Sequence, residues 1–211
     1  MDQNILFESS NCIILYKKKN THFDEIKKNL TVVHRLDYQT TGCILFVKNK
    51  ADFKKYNELF KLNKVQKTYL AASRINLDFF IYDKPRLVNG FIASRYKSSK
   101  KTKFVFESET NILKNFKSFT KISMEILMSK NPFFDFYYTK NKFYTYEINL
   151  ITGARHQIRS YFHNNGATLI NDNIYGNINE PNDRIGLHSY KLSFIDPKTN
   201  EAITATADPQ P

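Results

Sequence analysis

Cysteine is scarce in this chain of 211 residues: Cys12 and Cys43 are its two. They lie in separate apolar runs, and no close pair suggests a redox motif or a metal-ligand set. Both read as reduced, buried thiols, and neither a metal nor a cofactor is expected. Long hydrophobic runs are missing as well. None reaches the ~18 apolar residues that span a bilayer, and Met1-Asp2-Gln3-Asn4 does not open the basic-then-apolar pattern of a secretory signal. The expectation is a cytoplasmic protein with no membrane partner; an organelle protein without its transit peptide would read the same way. Acidic residues are the third shortage, with 20 Asp and Glu against 32 Lys and Arg and a net charge of +12. A cationic surface favours a polyanionic partner, because each cation that meets a phosphate releases counterions. Lysine enrichment alone would give the same total, so the distribution says more. From Lys84 to Phe106 there are seven Lys or Arg and no Asp or Glu.

What is present is a series of short apolar runs separated by polar turns. Residues 5–7 and 12–16 read as two strands, and 43–47 has the length and β-branched content of a buried one. Residues 51–60 read as an amphipathic helix with Phe53, Tyr56 and Phe60 on its core side. Residues 65–72 form a strand in which Lys67, Tyr69 and Ala71 share a face. Two more strands are expected at 118–127 and 143–150. Between them lies an aromatic hairpin region whose Phe133, Phe134, Phe136, Tyr137 and Tyr138 suit core packing better than RNA stacking. Thr152-Gly153 opens a helix that runs to about His163 and stops at Asn164-Asn165-Gly166. On that helix Arg155 and Arg159 are four positions apart and share one face. The pattern as a whole gives an α+β fold.

The densest chemistry lies in Val33-His34-Arg35-Leu36-Asp37-Tyr38-Gln39-Thr40-Thr41-Gly42, which leads into the 43–47 strand. Thr40-Thr41-Gly42 supplies short side chains and a permissive glycine for a turn, so Asp37 sits on a loop close to rigid structure. An Asp beside His and Arg is ordinarily a surface ion pair. A second stretch, Ile151-Thr152-Gly153-Ala154-Arg155-His156-Gln157-Ile158-Arg159, argues for more.

Together the two stretches resemble the motifs of RluA-type pseudouridine synthases, His-Arg-Leu-Asp-x-x-Thr-Ser-Gly and Thr-Gly-Arg-x-His-Gln-Ile/Leu-Arg. His34 to Asp37 with Thr40, Thr41 and Gly42 match the first. Thr152-Gly153 and His156 to Arg159 match the second. Lys67 and Tyr69 fall in a Lys-x-Tyr-x-Ala strand, residues 167–176 resemble Pro-Ile-x-Gly-Asp-x-x-Tyr-Gly, and Leu187-His188 opens a third motif. Arg95 to Lys103 looks like the family's basic loop. The chain departs from the pattern at Lys17-Lys18-Lys19-Asn20, where relatives carry Lys-Pro-Ala-Gly, and at Ser73, Ala154 and Asn171.

The resemblance implies one catalytic domain over residues 1–211, without an N-terminal RNA-binding module. It implies a mixed, mostly antiparallel sheet with a central cleft, a monomer, and an RNA partner (a ribosomal or transfer RNA stem-loop) rather than DNA. The reaction cuts the glycosidic bond of a uridine, turns the uracil and rejoins it through a ring carbon. A carboxylate can serve as nucleophile or as ion-pair partner in such a step. Asp37 is assigned that role, with Arg159 as the guanidinium that keeps it ionised. Arg35 would fill the space of an extruded base. Tyr69 would stack on the uracil, Leu187 would form an apolar wall, and Lys67 would bind substrate. His34 is expected to hold the loop by hydrogen bonds. Arg95, Lys97, Lys100, Lys101 and Lys103 would grip phosphates, which positions RNA without reading its sequence.

Two other readings compete. One is a non-catalytic RNA-binding or chaperone protein on the same fold. The other is a metal-independent ribonuclease that uses His34, His156 or His163 as acid and base.

Overall fold

A computed structural model describes residues 5–22, 29–77, 84–96, 98–129, 131, 143–176 and 184–210. The chain divides into two compact units, Met1–Tyr69 with Leu187–Pro211, and Leu70–Gly186. Each is built mainly of antiparallel strands with a helix packed against them, so the α+β expectation holds.

In the first unit, β1 (Ile5–Glu8), β2 (Cys12–Lys17), β3 (Thr31–Val32) and β4 (Thr41–Val47) are followed by α1 (Phe53–Lys61) and the start of β5 (Gln66–Ser73). The chain returns at its end with two more strands, β10 (Leu187–Ile195) and β11 (Ala202–Thr206). β2 pairs with β4 antiparallel, from Cys12 opposite Val47 to Lys17 opposite Gly42. β4 pairs with β10 in parallel, with Gly42 opposite Ser189, and this pair makes the sheet mixed. Every residue of β2 and β4 is buried, as expected of strands covered on both faces and read as unbroken apolar runs. Their Ile14, Cys43 and Leu45 join Tyr56 of α1, Phe194 and Ile203 in one core. Tyr56 also ties the helix down by donating to Asp196 Oδ2 at 2.7 Å.

Gly42 shows why the first motif ends in glycine. Its φ is +106°, and a Cβ there would lie 2.1 Å from the Ser189 carbonyl oxygen. No side chain fits that approach, and L residues rarely adopt that backbone region.

In the second unit the rest of β5 is followed by β6 (Arg86–Ser94), β7 (Lys103–Phe106), β8 (Ser118–Met128) and β9 (Tyr144–Leu150). They form an antiparallel ladder in the order β9-β8-β6-β7. Ile122, Met124 and Ile126 of β8 are buried at alternate positions, the period of a sheet with one covered face. A helix, α2 (Gln157–Asn164), adds Ile158, Tyr161 and Phe162 to the interior. Phe104 meets the edge of Tyr161 at 5.0 Å, and Tyr146 that of Phe162 at 5.2 Å.

Two expectations need correction here. Helix α2 begins at Gln157 rather than at Thr152-Gly153, and Arg155 therefore does not share a helix face with Arg159. His156 enters the left-handed region at φ +56°, which interrupts any helix before it. The Gln157 side chain takes over the turn: its Oε1 accepts from the Ala154 N–H at 3.0 Å and from Thr152 Oγ1 at 3.2 Å, and its Nε2 donates to the Ser123 carbonyl at 3.3 Å. At the start of β9, Tyr144 is exposed and Thr145 buried, ahead of the buried Tyr146 and Ile148. The aromatic residues Phe133 to Tyr138 lie outside the described residues, as does Lys97. Among the described residues no helix is long and apolar enough to cross a membrane.

Candidate active site

The loop that carries Asp37 is fixed through its backbone. Thr40 N–H donates to the Asp37 carbonyl at 3.1 Å, closing a turn. Lys17, at the end of β2, is 1% exposed, and its ammonium donates to the carbonyls of Tyr38 and Thr40, both at 2.8 Å, and of Lys18 at 3.3 Å. Burial pushes this ammonium down to about 8, against the opposing pull of the Asp37 charge. Asp37 is half-buried and Arg35 exposed, while Leu36 between them packs inward. The Thr40 hydroxyl is buried with no hydrogen-bond partner among the described residues.

His34 anchors the other end of the loop. Its Nε2 accepts from the Leu45 N–H at 3.1 Å, and its ring stacks on Phe60 at 4.7 Å. A nitrogen that accepts from an amide carries no proton, so the imidazole is neutral. Burial, with Lys67 nearby, pushes it down to about 3. Such a histidine holds structure and is unsuited to the acid–base work of a ribonuclease at neutral pH.

Tyr69 is 9% exposed, Lys67 6% and Leu187 4%. Burial pushes the Tyr69 phenol up, a hydrogen bond with Ser189 opposes this, and the charge of Asp37 adds to it. Tyr69 therefore keeps its proton, and the influence of Asp37 places the carboxylate in its neighbourhood. Burial also takes the Lys67 ammonium down to about 8. Behind them, Thr41 Oγ1 lies 2.7 Å from His188 Nδ1, and His188 Nε2 lies 2.7 Å from the Ala207 carbonyl. A carbonyl can only accept, so Nε2 carries the proton and Thr41 donates to Nδ1. The threonine at position 41 thus has a hydroxyl role that the family's serine could fill equally.

Within the second unit, Arg159 is 2% exposed. Its Nε donates to Asp172 Oδ2 at 2.8 Å and its Nη2 to Asp172 Oδ1 at 2.6 Å. Asp172 Oδ1 also accepts from the backbone N–H groups of Ile174 and Tyr175 at 3.1 and 3.0 Å. This two-point geometry is one a lysine could not supply. Asn171 has φ +53° and donates its amide to the Arg184 carbonyl at 3.1 Å. Asn171, and Asn20 at φ +54°, stand where the family pattern has glycine and take the left-handed backbone that glycine adopts readily. Asparagine is among the few side chains that tolerate that region.

Of the basic loop, Arg95, Lys100, Lys101 and Lys103 are exposed, whereas Thr102 between the last two is 8% exposed. Arg155, which left the helix, donates to the Ser99 carbonyl at 2.7 Å. Sequence reasoning passed over Lys17, Asp172 and Tyr175. The signals were there: Lys17 stands where relatives carry lysine, and Asp172 and Tyr175 are the matched positions of the 167–176 stretch.

Comparison with known proteins places these observations. The family model described as RNA pseudouridylate synthase matches residues 15–164, which include both long motifs. An uncharacterized RNA pseudouridine synthase of Haemophilus influenzae is 25% identical, over 92% of this chain and 83% of the relative. The tRNA pseudouridine synthase C of Haemophilus ducreyi is 25% identical over 87% of this chain and 74% of its own length. Among solved structures, human RNA pseudouridylate synthase domain containing 1 superposes with a TM-score of 0.75 at 18% identity, covering 100% of this chain and 84% of that one. That likeness shows the fold. The chain belongs to the RNA pseudouridylate synthase family, whose members are RNA uridine isomerases.

Proposed function

We propose that this enzyme converts specific uridines of structured ribosomal or transfer RNA to pseudouridine, with Asp37 as the carboxylate that attacks the sugar or stabilises the separated sugar and base. The observation that carries the reading is the fixation of the Asp37 turn by Lys17 beside a protonated, buried Tyr69. An ammonium bound to the carbonyls of Tyr38 and Thr40 limits the positions the carboxylate can take, and positioning of this kind lowers the entropic part of a barrier.

In this reading the target uridine leaves its stack, at a cost of a few kcal/mol that is smaller in a strained loop. Arg35 occupies the space it vacates. Tyr69 lies against the uracil, Leu187 bounds it, and Lys67 meets the substrate from the strand that carries Tyr69. Arg159 supplies the positive charge that carboxylate chemistry of this kind calls for, and the protein acts as one monomeric catalytic domain. His34 keeps the loop in register. Arg95, Lys97, Lys100, Lys101 and Lys103 hold the phosphates of a stem. The isomerisation rearranges the uridine with no atom gained or lost.

The test is incubation of the purified protein with transcribed large-subunit ribosomal RNA and transfer RNA, followed by carbodiimide labelling that reports pseudouridine. Conversion at one or a few defined uridines supports the reading. Tight RNA binding without conversion would point instead to the non-catalytic RNA-binding alternative.

A further inference from the structure

We infer that Tyr175 is a positioning residue that couples the basic loop to the Arg159 helix, so that gripping the RNA and presenting the guanidinium are one mechanical unit. The inference rests on the proposed reading of that loop as an RNA contact.

Its basis is a set of contacts converging on one phenol. The Tyr175 hydroxyl accepts from the Thr102 N–H at 2.8 Å and lies 3.2 Å from the Thr102 carbonyl and 3.0 Å from its Oγ1. Ser160, one position after Arg159, donates to the same Thr102 carbonyl at 3.1 Å. Thr102 is thus held at both of its backbone polar groups, and its neighbours Lys101 and Lys103 are turned outward. On the other side, the Tyr175 N–H binds the carboxylate of Asp172 that clamps Arg159. The ring of Tyr175 has the Arg159 guanidinium 5.6 Å from its centroid and the Lys101 ammonium at 5.8 Å. One residue therefore touches the loop backbone, the loop cation, the guanidinium and the guanidinium's carboxylate partner. Removing its hydroxyl loosens Thr102, which keeps its Ser160 bond, and removes a 3.1 Å contact with His156 Nδ1, while the ring, the Tyr175 N–H and the Arg159–Asp172 pair remain in place.

A coupling of this kind has a kinetic signature. With the loop released, Lys101 and Lys103 no longer stand at a fixed place relative to Arg159, so RNA capture weakens before chemistry does. Tyr175→Phe is expected to raise KM roughly five- to tenfold for the transcript that the wild type converts, with kcat changed less than about twofold. The salt dependence of RNA binding should flatten by about one phosphate contact. Ser160→Ala, which removes the second tie to Thr102, should move KM in the same direction by a smaller factor. Lys101→Ala/Lys103→Ala is measured alongside. If that double variant weakens binding and Tyr175→Phe leaves KM and the salt slope unchanged, the coupling is overturned. A fall in kcat with KM unchanged in Tyr175→Phe also overturns it, because RNA capture would then not depend on the Tyr175 hydroxyl. If the lysine double variant binds RNA as tightly as the wild type, the reading of the loop fails, and the inference fails with it.

Discussion

The Asp37 turn and the Arg159 helix are held in opposite ways. At the turn, the fixed groups are backbone carbonyls, bound by a buried lysine, and the Asp37 side chain is left half-buried. At the helix, the fixed group is the Arg159 side chain itself, locked to a carboxylate that is in turn bound by two backbone N–H groups. In the proposed reading, the reacting carboxylate takes its place from its backbone, and the guanidinium takes its place from its own two-point ion pair. The two regions should therefore respond differently to loss of their anchors, the helix through stability and the turn through rate.

The sharpest contrast comes from removing the anchors. Asp172→Ala leaves a buried guanidinium without its main counter-charge and should destabilise the protein by about 3–5 kcal/mol, read by urea denaturation. Lys17→Met removes a buried ammonium whose burial is itself costly, so stability should change by no more than about 1 kcal/mol. The rate of conversion should nevertheless fall about tenfold or more, because the Asp37 turn loosens. If the two variants showed the same balance of stability and rate, the contrast would dissolve.

A subtler distinction is in pH. His34 has a folded pKa of about 3, below its ordinary value of 6.5. Between those values the unfolded chain binds the proton and the folded chain does not, so folding stability is lost as pH falls from about 6.5 towards 3. His34→Gln should flatten that limb of a stability–pH curve. Lys17 is lowered to about 8, and by the same linkage stability gains from this group as pH rises from about 8 towards 10.5. Activity should move the other way in that range, since the neutral amine grips the Tyr38 and Thr40 carbonyls less strongly. An alkaline loss of conversion that Lys17→Met lacks would locate the effect at this anchor.

How far these anchors could be read in the sequence differs between the regions. Motif spacing placed Asp37 and Arg159, and apolar periodicity placed most strands within a residue or two. The onset of α2 was not legible, because a single left-handed residue, His156, and the Gln157 side-chain bonds to the preceding turn override a pattern that looks helical. Asp172 could be matched by motif, but its partner could not, because an ion pair closed across a turn leaves no periodic trace. Lys17 opens a run of three lysines, and nothing in that run marks the first as the buried one. Asn20 and Asn171, which stand where the family pattern has glycine, both sit at positive φ, a region that asparagine and glycine can each adopt. The smallest effect follows from this: Asn171→Gly should alter stability by less than about 1 kcal/mol in thermal denaturation, the lost amide contact to Arg184 partly offset by relief of the left-handed backbone.

The central claim is that the carboxylate of residue 37 performs the chemistry. The most direct measurement is the rate of pseudouridine formation by Asp37→Asn, which keeps the shape of the side chain, alongside its affinity for the same transcript. Conversion should drop by ~10³-fold or more, with RNA affinity within about threefold of the wild type. Conversion by Asp37→Asn at the wild-type rate would contradict the account.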